Sequence, residues 1–258
     1  MGTEIQQSAS GEYWFMELQE GLFQYQDGKW IKHTFPFYED FLKKPKSMQI
    51  KGNCFWTGKR NTVYILLFDK LFAYNVSSGQ HQVILRSEET SLHQFLDFLP
   101  AQEGGYWISG TSGLLKLHFP PLQDDIPVQF DEYFFPEHFD YEALYKIKEL
   151  EPGMIAGTAK QRDGNSTDLV LFQENQWKVI FQGDSDITYG VGRDKQDRIW
   201  FTKHLGATDK LFGIYQDGEV VPVDNTGKID STVNTPGFRP AGEYFYFLLS
   251  GLFLLQFH

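Results

Sequence analysis

The chain has 258 residues, 17% of them aromatic and 22% charged, with a net charge of −11. That much apolar and aromatic surface excludes a disordered chain, and the acidic balance argues against nucleic acid or an anionic membrane as main partner. The single cysteine, Cys54, excludes an intrachain disulfide and any cysteine-based zinc or iron–sulfur centre.

The N-terminal segment lacks a basic region followed by an apolar one, so no signal peptide is expected. The next elements recur as copies of one pattern. In the first copy, Thr3–Gln6 can form a strand before Trp14–Met16, Leu22–Tyr25 and Trp30–His33. Asp27-Gly28 between the last two is a tight hairpin signal, because glycine tolerates the positive φ the turn requires. Phe37–Leu42 reads as a short turn. The second copy places Cys54–Thr57 as the strand equivalent to Trp14–Met16, then Leu71–Tyr74, a turn at Ser77–Gln80 and His81–Leu85.

The third copy opens with an alternating run, His93–Phe98, and continues through Gly105-Tyr-Trp-Ile and Gly113-Leu-Leu-Lys-Leu. A loop follows over Pro120–Asp124, and Asp131–Tyr141 reads as a second connector. Glu142 and Lys146 have helical i, i+4 spacing, but Leu144–Leu150 is read as the strand opening a degenerate fourth copy through Met154 and Leu169–Phe172. In that copy Gln173–Gln176 forms the turn before Trp177–Phe181. The fifth runs from Ile187–Val191 through Arg198-Ile-Trp-Phe and Leu211–Tyr215, with Asp217-Gly218 as its turn before Val220–Val223. The sixth, in Ser231–His258, supplies three strands and stops. Its apolar stretch Tyr244–Phe257 is broken by Ser250 and Gly251 and is too short to span a membrane as a helix, so no membrane insertion is expected.

The anchors Trp14, Trp56, Trp107, Ile155, Trp200 and Phe245 lie 42, 51, 48, 45 and 45 residues apart. Repeats of this length, each dividing into four short strands, predict an all-β chain: a six-bladed β-propeller of four-stranded antiparallel blades. Residues 1–258 then form a single propeller domain, with a seven-bladed ring or a fragment of a larger propeller as alternatives. Thr3–Gln6 is expected as the inner strand of the first blade, which leaves the last blade three-stranded with Leu252–Phe257 as an apolar edge suited to self-association.

Glu12-Tyr-Trp-Phe with Gly21-Leu-Phe-Gln-Tyr, Gly105-Tyr-Trp-Ile-Ser-Gly-Thr-Ser-Gly-Leu-Leu and Asp197-Arg-Ile-Trp-Phe-Thr resemble the two-component regulator propeller repeat. The resemblance spans nearly the whole chain. It implies a sensor-type β-propeller, of the kind found in extracytoplasmic regions of hybrid histidine kinases and often recognising glycans. The chain as written implies a cytoplasmic location, and an excised sensor domain a periplasmic one.

The residues themselves carry no catalytic signature. No histidine pair has metal-ligand spacing, and Gly110-Thr-Ser112-Gly113 lacks the nucleophile-elbow spacing. Asp163, Asn165, Thr167 and Glu174 fall at calcium-loop positions, but Asp168 stands where the sharp turn needs glycine. No cofactor and no metal are expected. The anchor aromatics are assigned to packing between blades. Among connectors, Asp131–Tyr141 is both acidic and aromatic, so it either plugs the channel mouth or offers a stacking surface. Tyr133, Phe135 and Tyr141, with Arg193 and Asp97 near the inner strands, are therefore the candidate ligand-binding residues. The expected function is a non-catalytic, ligand-binding or sensor-type propeller taking a carbohydrate or peptide. The rivals are a protein-interaction scaffold binding a protein partner through its rim, and a hydrolase or lyase using Asp97, Glu149, Asp186 and Arg193 at the channel mouth.

Overall fold

Tight turns set the strand pairing. Asp27 and Gly28 have φ of 50° and 76°, Asp217 and Gly218 of 53° and 89°, and Glu174 and Asn175 of 52° and 61°. Two successive positive φ values make the type I′ turn, whose twist matches that of the strands it joins. The three turns close Gln26↔Lys29, Gln216↔Glu219 and Gln173↔Gln176. The recurring Gly-Leu pair has a different cause. At Gly113, with φ of 146°, a Cβ would sit 2.2 Å from the Tyr133 carbonyl of the neighbouring strand.

The computed structural model describes residues 5–8, 10–17, 20–43, 54–58, 61–118, 128–184, 189–194, 196–205, 209–223, 237–241, 244–248 and 254–257. They form six antiparallel sheets in chain order, the blades of a β-propeller. The first is β1 (Gln6–Gln7), β2 (Tyr13–Glu17), β3 (Gly21–Gln26) and β4 (Lys29–His33). A short helix, α1 (Tyr38–Leu42), leads towards β5 (Phe55–Thr57), β6 (Thr62–Leu67), β7 (Lys70–Asn75) and β8 (His81–Arg86). The third sheet is β9 (Phe95–Pro100), β10 (Tyr106–Gly110), β11 (Gly113–Leu117) and β12 (Phe130–Phe134). The fourth is β13 (Tyr141–Glu151), β14 (Met154–Gln161), β15 (Thr167–Gln173) and β16 (Gln176–Phe181). The fifth is β17 (Tyr189–Arg193), β18 (Ile199–Leu205), β19 (Asp209–Gln216) and β20 (Glu219–Val223). The last, β21 (Gly237–Ala241), β22 (Tyr244–Leu248) and β23 (Leu254–Phe257), has three strands among the described residues. Pairing of Gln6 with Trp14 makes the N-terminal segment the first strand of the first sheet, as expected.

Two expectations are corrected. Trp56 lies on the first strand of its sheet, opposite Tyr64, so Tyr64 holds the position equivalent to Trp14. The interval between Thr57 and Leu71 contains a whole strand, β6, so Leu71–Tyr74 lies on the third strand of its sheet and Cys54–Thr57 is not its second. Asp131–Phe134 is the fourth strand of its sheet and not a connector, because its backbone pairs with Gly113–Lys116. The connector is only Phe135–Asp140.

Two compact units divide the chain: residues 1–139 with 143–147, and residues 140–142 with 148–258. In the first unit, Trp14, Met16 and Leu22 of one sheet join Val63, Ile65 and Phe72 of the next and Ile108, Leu115 and Leu117 of the third in one apolar cluster. In the second, Met154, Ala156, Leu169 and Leu171 join Tyr189, Val191, Ile199 and Phe201. Alternate residues of a strand point to opposite faces, so a sheet lying between two others can bury apolar side chains on both. A fully buried Leu, Ile or Phe contributes about 1.5–3 kcal/mol.

Trp14, Trp107 and Ile155 are buried, with 2%, 4% and 1% exposure. Trp107 packs against Tyr133, with ring centroids 5.9 Å apart, and the Lys116 ammonium lies 4.8 Å from its ring. Replacing it by alanine opens a cavity that neighbouring strands cannot fill. Trp107→Ala should cost about 3–5 kcal/mol, measured by urea unfolding, whereas a change within ~0.5 kcal/mol, typical of surface sites, would contradict its placement.

Candidate functional site

Every sheet has a first strand with an edge beyond which its own blade supplies no further partner. Backbone N–H and C=O groups there need partners or water. Polar side chains of the preceding first strand supply several of them. The buried Gln6 amide donates to the Phe55 carbonyl at 2.8 Å, and its oxygen accepts from the Thr57 N–H at 3.3 Å. The Trp56 indole donates to the Phe98 carbonyl at 3.1 Å. The Asp97 carboxylate accepts from the Ile147 N–H at 2.9 Å. Lys148 donates to the Val191 carbonyl at 2.8 Å. Four successive first-strand junctions thus carry the same device.

The five candidate ligand-binding residues occupy different surroundings. Asp97 is 1% exposed and engaged in this clasp. Tyr133, half-buried on β12, is at the opposite edge of the same sheet from Asp97. Phe135 is half-buried on the connector, where its N–H donates to the Ser112 carbonyl at 3.0 Å. In the second unit, Tyr141 is buried and its hydroxyl donates to Asp168 at 2.6 Å. Burial first, and the adjacent Asp168 second, push its phenol well above the ordinary tyrosine range. The Arg193 guanidinium pairs with Glu151 and, at 3.1 Å, with Asp197. Of the other groups considered for hydrolysis, Glu149 accepts from the Gly153 N–H at 3.1 Å, and Asp186 lies outside the described residues.

The end of β12 and the connector after it carry the aromatic surface. Phe134 is 46% exposed, and Phe135 and Phe139 are half-buried. His138 meets Phe139 edge-on, with ring centroids 4.6 Å apart. The segment is held by its backbone: besides the Phe135 bond, the Phe139 N–H donates to the Pro136 carbonyl at 2.8 Å. A pinned loop presents these rings with little ordering cost on binding.

The calcium-like loop has another use for its acids. Asp163 accepts from the Asn165 N–H at 3.0 Å, closing a turn. Asp168 is buried and receives Tyr141, the Gln161 amide and, at 2.9 Å, the Gly183 N–H. Among the described residues, no group of three or more His, Cys, Asp or Glu side chains is arranged to hold a metal. Cys54 is buried, and burial pushes its thiol well above the ordinary range.

A residue that motif reading passed over is Asp194, 7% exposed. It accepts from the Trp200 indole at 2.7 Å, from the Arg198 backbone and guanidinium, and from the Gln196 N–H. Burial is the largest influence and raises its pKa. The hydrogen bonds and the Arg198 charge together outweigh it, so the carboxyl is held below its usual range. The only signal in the sequence was its place four residues before Arg198 in a repeat turn.

No protein-family model matches the chain, and no curated protein matches it. Solved structures do. The extracellular domain of the hybrid two-component system BT3049 of B. thetaiotaomicron matches with TM-score 0.61 and 14% identity, over 99% of this chain and 33% of that one. YCF48 from Cyanidioschyzon merolae matches with TM-score 0.59 and 12% identity, over 100% of this chain and 82% of that one. YCF48 bound to D1 peptide matches with TM-score 0.55 and 12% identity, over 95% and 74%. The chain spans about a third of the length of the two-component extracellular domain it matches. At these identities the likeness is one of fold. No helix among the described residues is long and apolar enough to cross a membrane.

Two outcomes test these assignments. Asp97→Ala leaves the buried Ile147 N–H without its acceptor and should cost about 1–3 kcal/mol, while Asp97→Asn, which keeps an acceptor, should cost less; urea unfolding of both variants checks the order. Asp194 has a folded pKa below its unfolded one, so its contribution is present above the unfolded carboxylate range and is lost as pH falls through the folded pKa. The stability gap between the parent and Asp194→Asn should therefore be widest near neutral pH and close in acid; a gap independent of pH would contradict the assignment.

Proposed function

We propose that this chain is a non-catalytic, ligand-binding or sensor-type β-propeller, and that the Tyr133–Phe139 segment is its recognition surface. The observation that carries this reading is the end of β12 with its connector: partly exposed aromatic rings on a backbone tied to Ser112 at Phe135 and closed by a turn between Pro136 and Phe139. Ring faces and edges of this kind suit a carbohydrate or an extended peptide. Tyr133 and Phe135 are the proposed contact residues. Asp97, Tyr141 and Arg193, whose polar groups are engaged within the fold, are proposed to hold the surrounding strands in place.

Support comes from the extracellular two-component domain among the structural neighbours, which favours a sensor outside the cytoplasm. The neighbour bound to D1 peptide favours a peptide among the ligand classes. The engagement of Asp97, Glu149 and Arg193 within the fold weighs against hydrolysis at these residues.

A thermal-unfolding screen of oligosaccharides and peptides, with divalent metals as a separate arm, tests the reading. One sugar or peptide class should raise the midpoint. Ligand at 100 times its dissociation constant adds about 2.7 kcal/mol, which is a shift of several degrees. Tyr133→Ala and Phe135→Ala should abolish the shift without lowering the unliganded midpoint by a comparable amount. Stabilisation that survives both substitutions would refute this surface, and stabilisation by metal with turnover of a substrate would refute the non-catalytic reading.

A further inference from the structure

Three segments of the first unit meet at one end of the third sheet. Ser91, in the connector that enters the sheet, donates to the Glu132 carboxylate of β12, from its N–H at 2.6 Å and from its hydroxyl at 3.2 Å. The Ser112 hydroxyl, in the turn between β10 and β11, donates to the Ser91 carbonyl at 2.8 Å. The Phe135 N–H, at the start of the connector that leaves the sheet, donates to the Ser112 carbonyl at 3.0 Å. One chain of hydrogen bonds thus ties the aromatic connector to the segment that precedes β9.

Charge is unevenly placed on these segments. Glu88 and Glu89 stand just before Ser91, Glu137 stands just after Phe135, and all three are exposed. Glu89 accepts from the Arg86 N–H at 2.7 Å, an uncharged donor. Among the described residues no Lys, Arg or His forms an ion pair with Glu88, Glu89, Glu132 or Glu137, whereas Asp131, on the other face of β12, has His118 at 2.9 Å. Across residues 86–94, 111–112 and 132–139, Arg86 is the only Lys or Arg to set against these four carboxylates.

Glu132 and Phe134 share a face of β12. Phe130 and Glu132 lie opposite Leu117 and Leu115, which belong to the apolar cluster shared with the second sheet. The face therefore looks towards a neighbour within the same unit. Phe134 follows where the strand leaves that core, and its ring is 46% exposed. A ring beside a carboxylate suits a basic side chain: the methylene stem lies along the ring, and the charged head reaches the carboxylate. A neutral sugar would leave the four carboxylates unbalanced.

We propose that the recognition surface takes an extended basic peptide, with a Lys or Arg side chain seated on Phe134 and Glu132. This rests on the reading of Tyr133–Phe139 as the recognition surface. An ionised carboxylate has lone pairs beyond the two that Ser91 uses, so the ligand's cation adds to that bond without displacing it.

Fluorescence anisotropy tests the proposal, with labelled peptides that alternate Ser with Lys, Gln or Glu, and with labelled cellohexaose. The Lys peptide should bind and the other three probes should not. Glu132→Gln, which keeps an oxygen for the Ser91 N–H, should weaken that binding by about tenfold or more. Phe134→Leu, which keeps apolar bulk and removes the ring face, should weaken it too. Glu219→Gln, an equal loss of charge on β20, should leave it unchanged. A Lys peptide that does not bind overturns the proposal, and so does equal weakening by Glu132→Gln and Glu219→Gln, which would reduce the effect to net charge. Binding of the Gln peptide or the sugar instead, lost in Tyr133→Ala and Phe135→Ala, overturns the basic ligand and leaves the surface in place. Lys-peptide binding that survives Glu132→Gln, Phe134→Leu, Tyr133→Ala and Phe135→Ala overturns both.

Discussion

The structure depends on a side chain of one first strand bonding the backbone of the next. Sheets packed face to face leave the edges of their first strands with N–H and C=O groups that no strand of the same blade can satisfy. Gln6, Trp56, Asp97 and Lys148 each reach across to such a group. Apolar packing between sheets is non-directional and tolerates sliding. A hydrogen bond of 2.8–3.1 Å to one particular carbonyl or N–H does not. Burial supplies the attraction, and these bonds set the register at which neighbouring sheets meet.

The same constraint governs where recognition chemistry can sit. A polar side chain committed to a neighbour's backbone cannot be released to a ligand without orphaning a buried group, which costs more than the bond contributes when made. Asp97 is such a case, and the pairing of Arg193 with Glu151 and Asp197 commits that cation similarly. The surface proposed for recognition lies where the repeat is interrupted, at the end of β12 and on the connector after it. The available groups there are aromatic rings, which contribute contact area while losing few rotatable bonds.

Much of this was legible along the chain. Two of the three I′ turns follow from Asp-Gly pairs, the third being Glu174-Asn175, and the alternating runs before Trp107, Met154 and Trp200 became the first strands β9, β13 and β17. The three strands described for the last sheet and the placement of Gln6 agree with counting strands per repeat. The error in the second sheet has a physical source. Phe55-Trp56-Thr57 carries the same aromatic pattern as a second strand, and only its pairing with Val63–Ile65 shows that it is a first strand. Local pattern reports which residues alternate, and pairing decides which strand they belong to.

The sequence by itself determined the all-β class, the repeat length, the turns and most strand boundaries, because these depend on local backbone preferences and on period-two alternation. Tertiary structure alone decided which apolar positions are covered. Tyr13, Tyr25 and Trp30 have the composition of core residues and lie exposed, whereas Asp97 and Asp168 have the composition of surface residues and lie buried. Burial depends on what stands opposite a side chain across the gap between sheets. That neighbour is distant in sequence: Ile147 for Asp97 and Gly183 for Asp168.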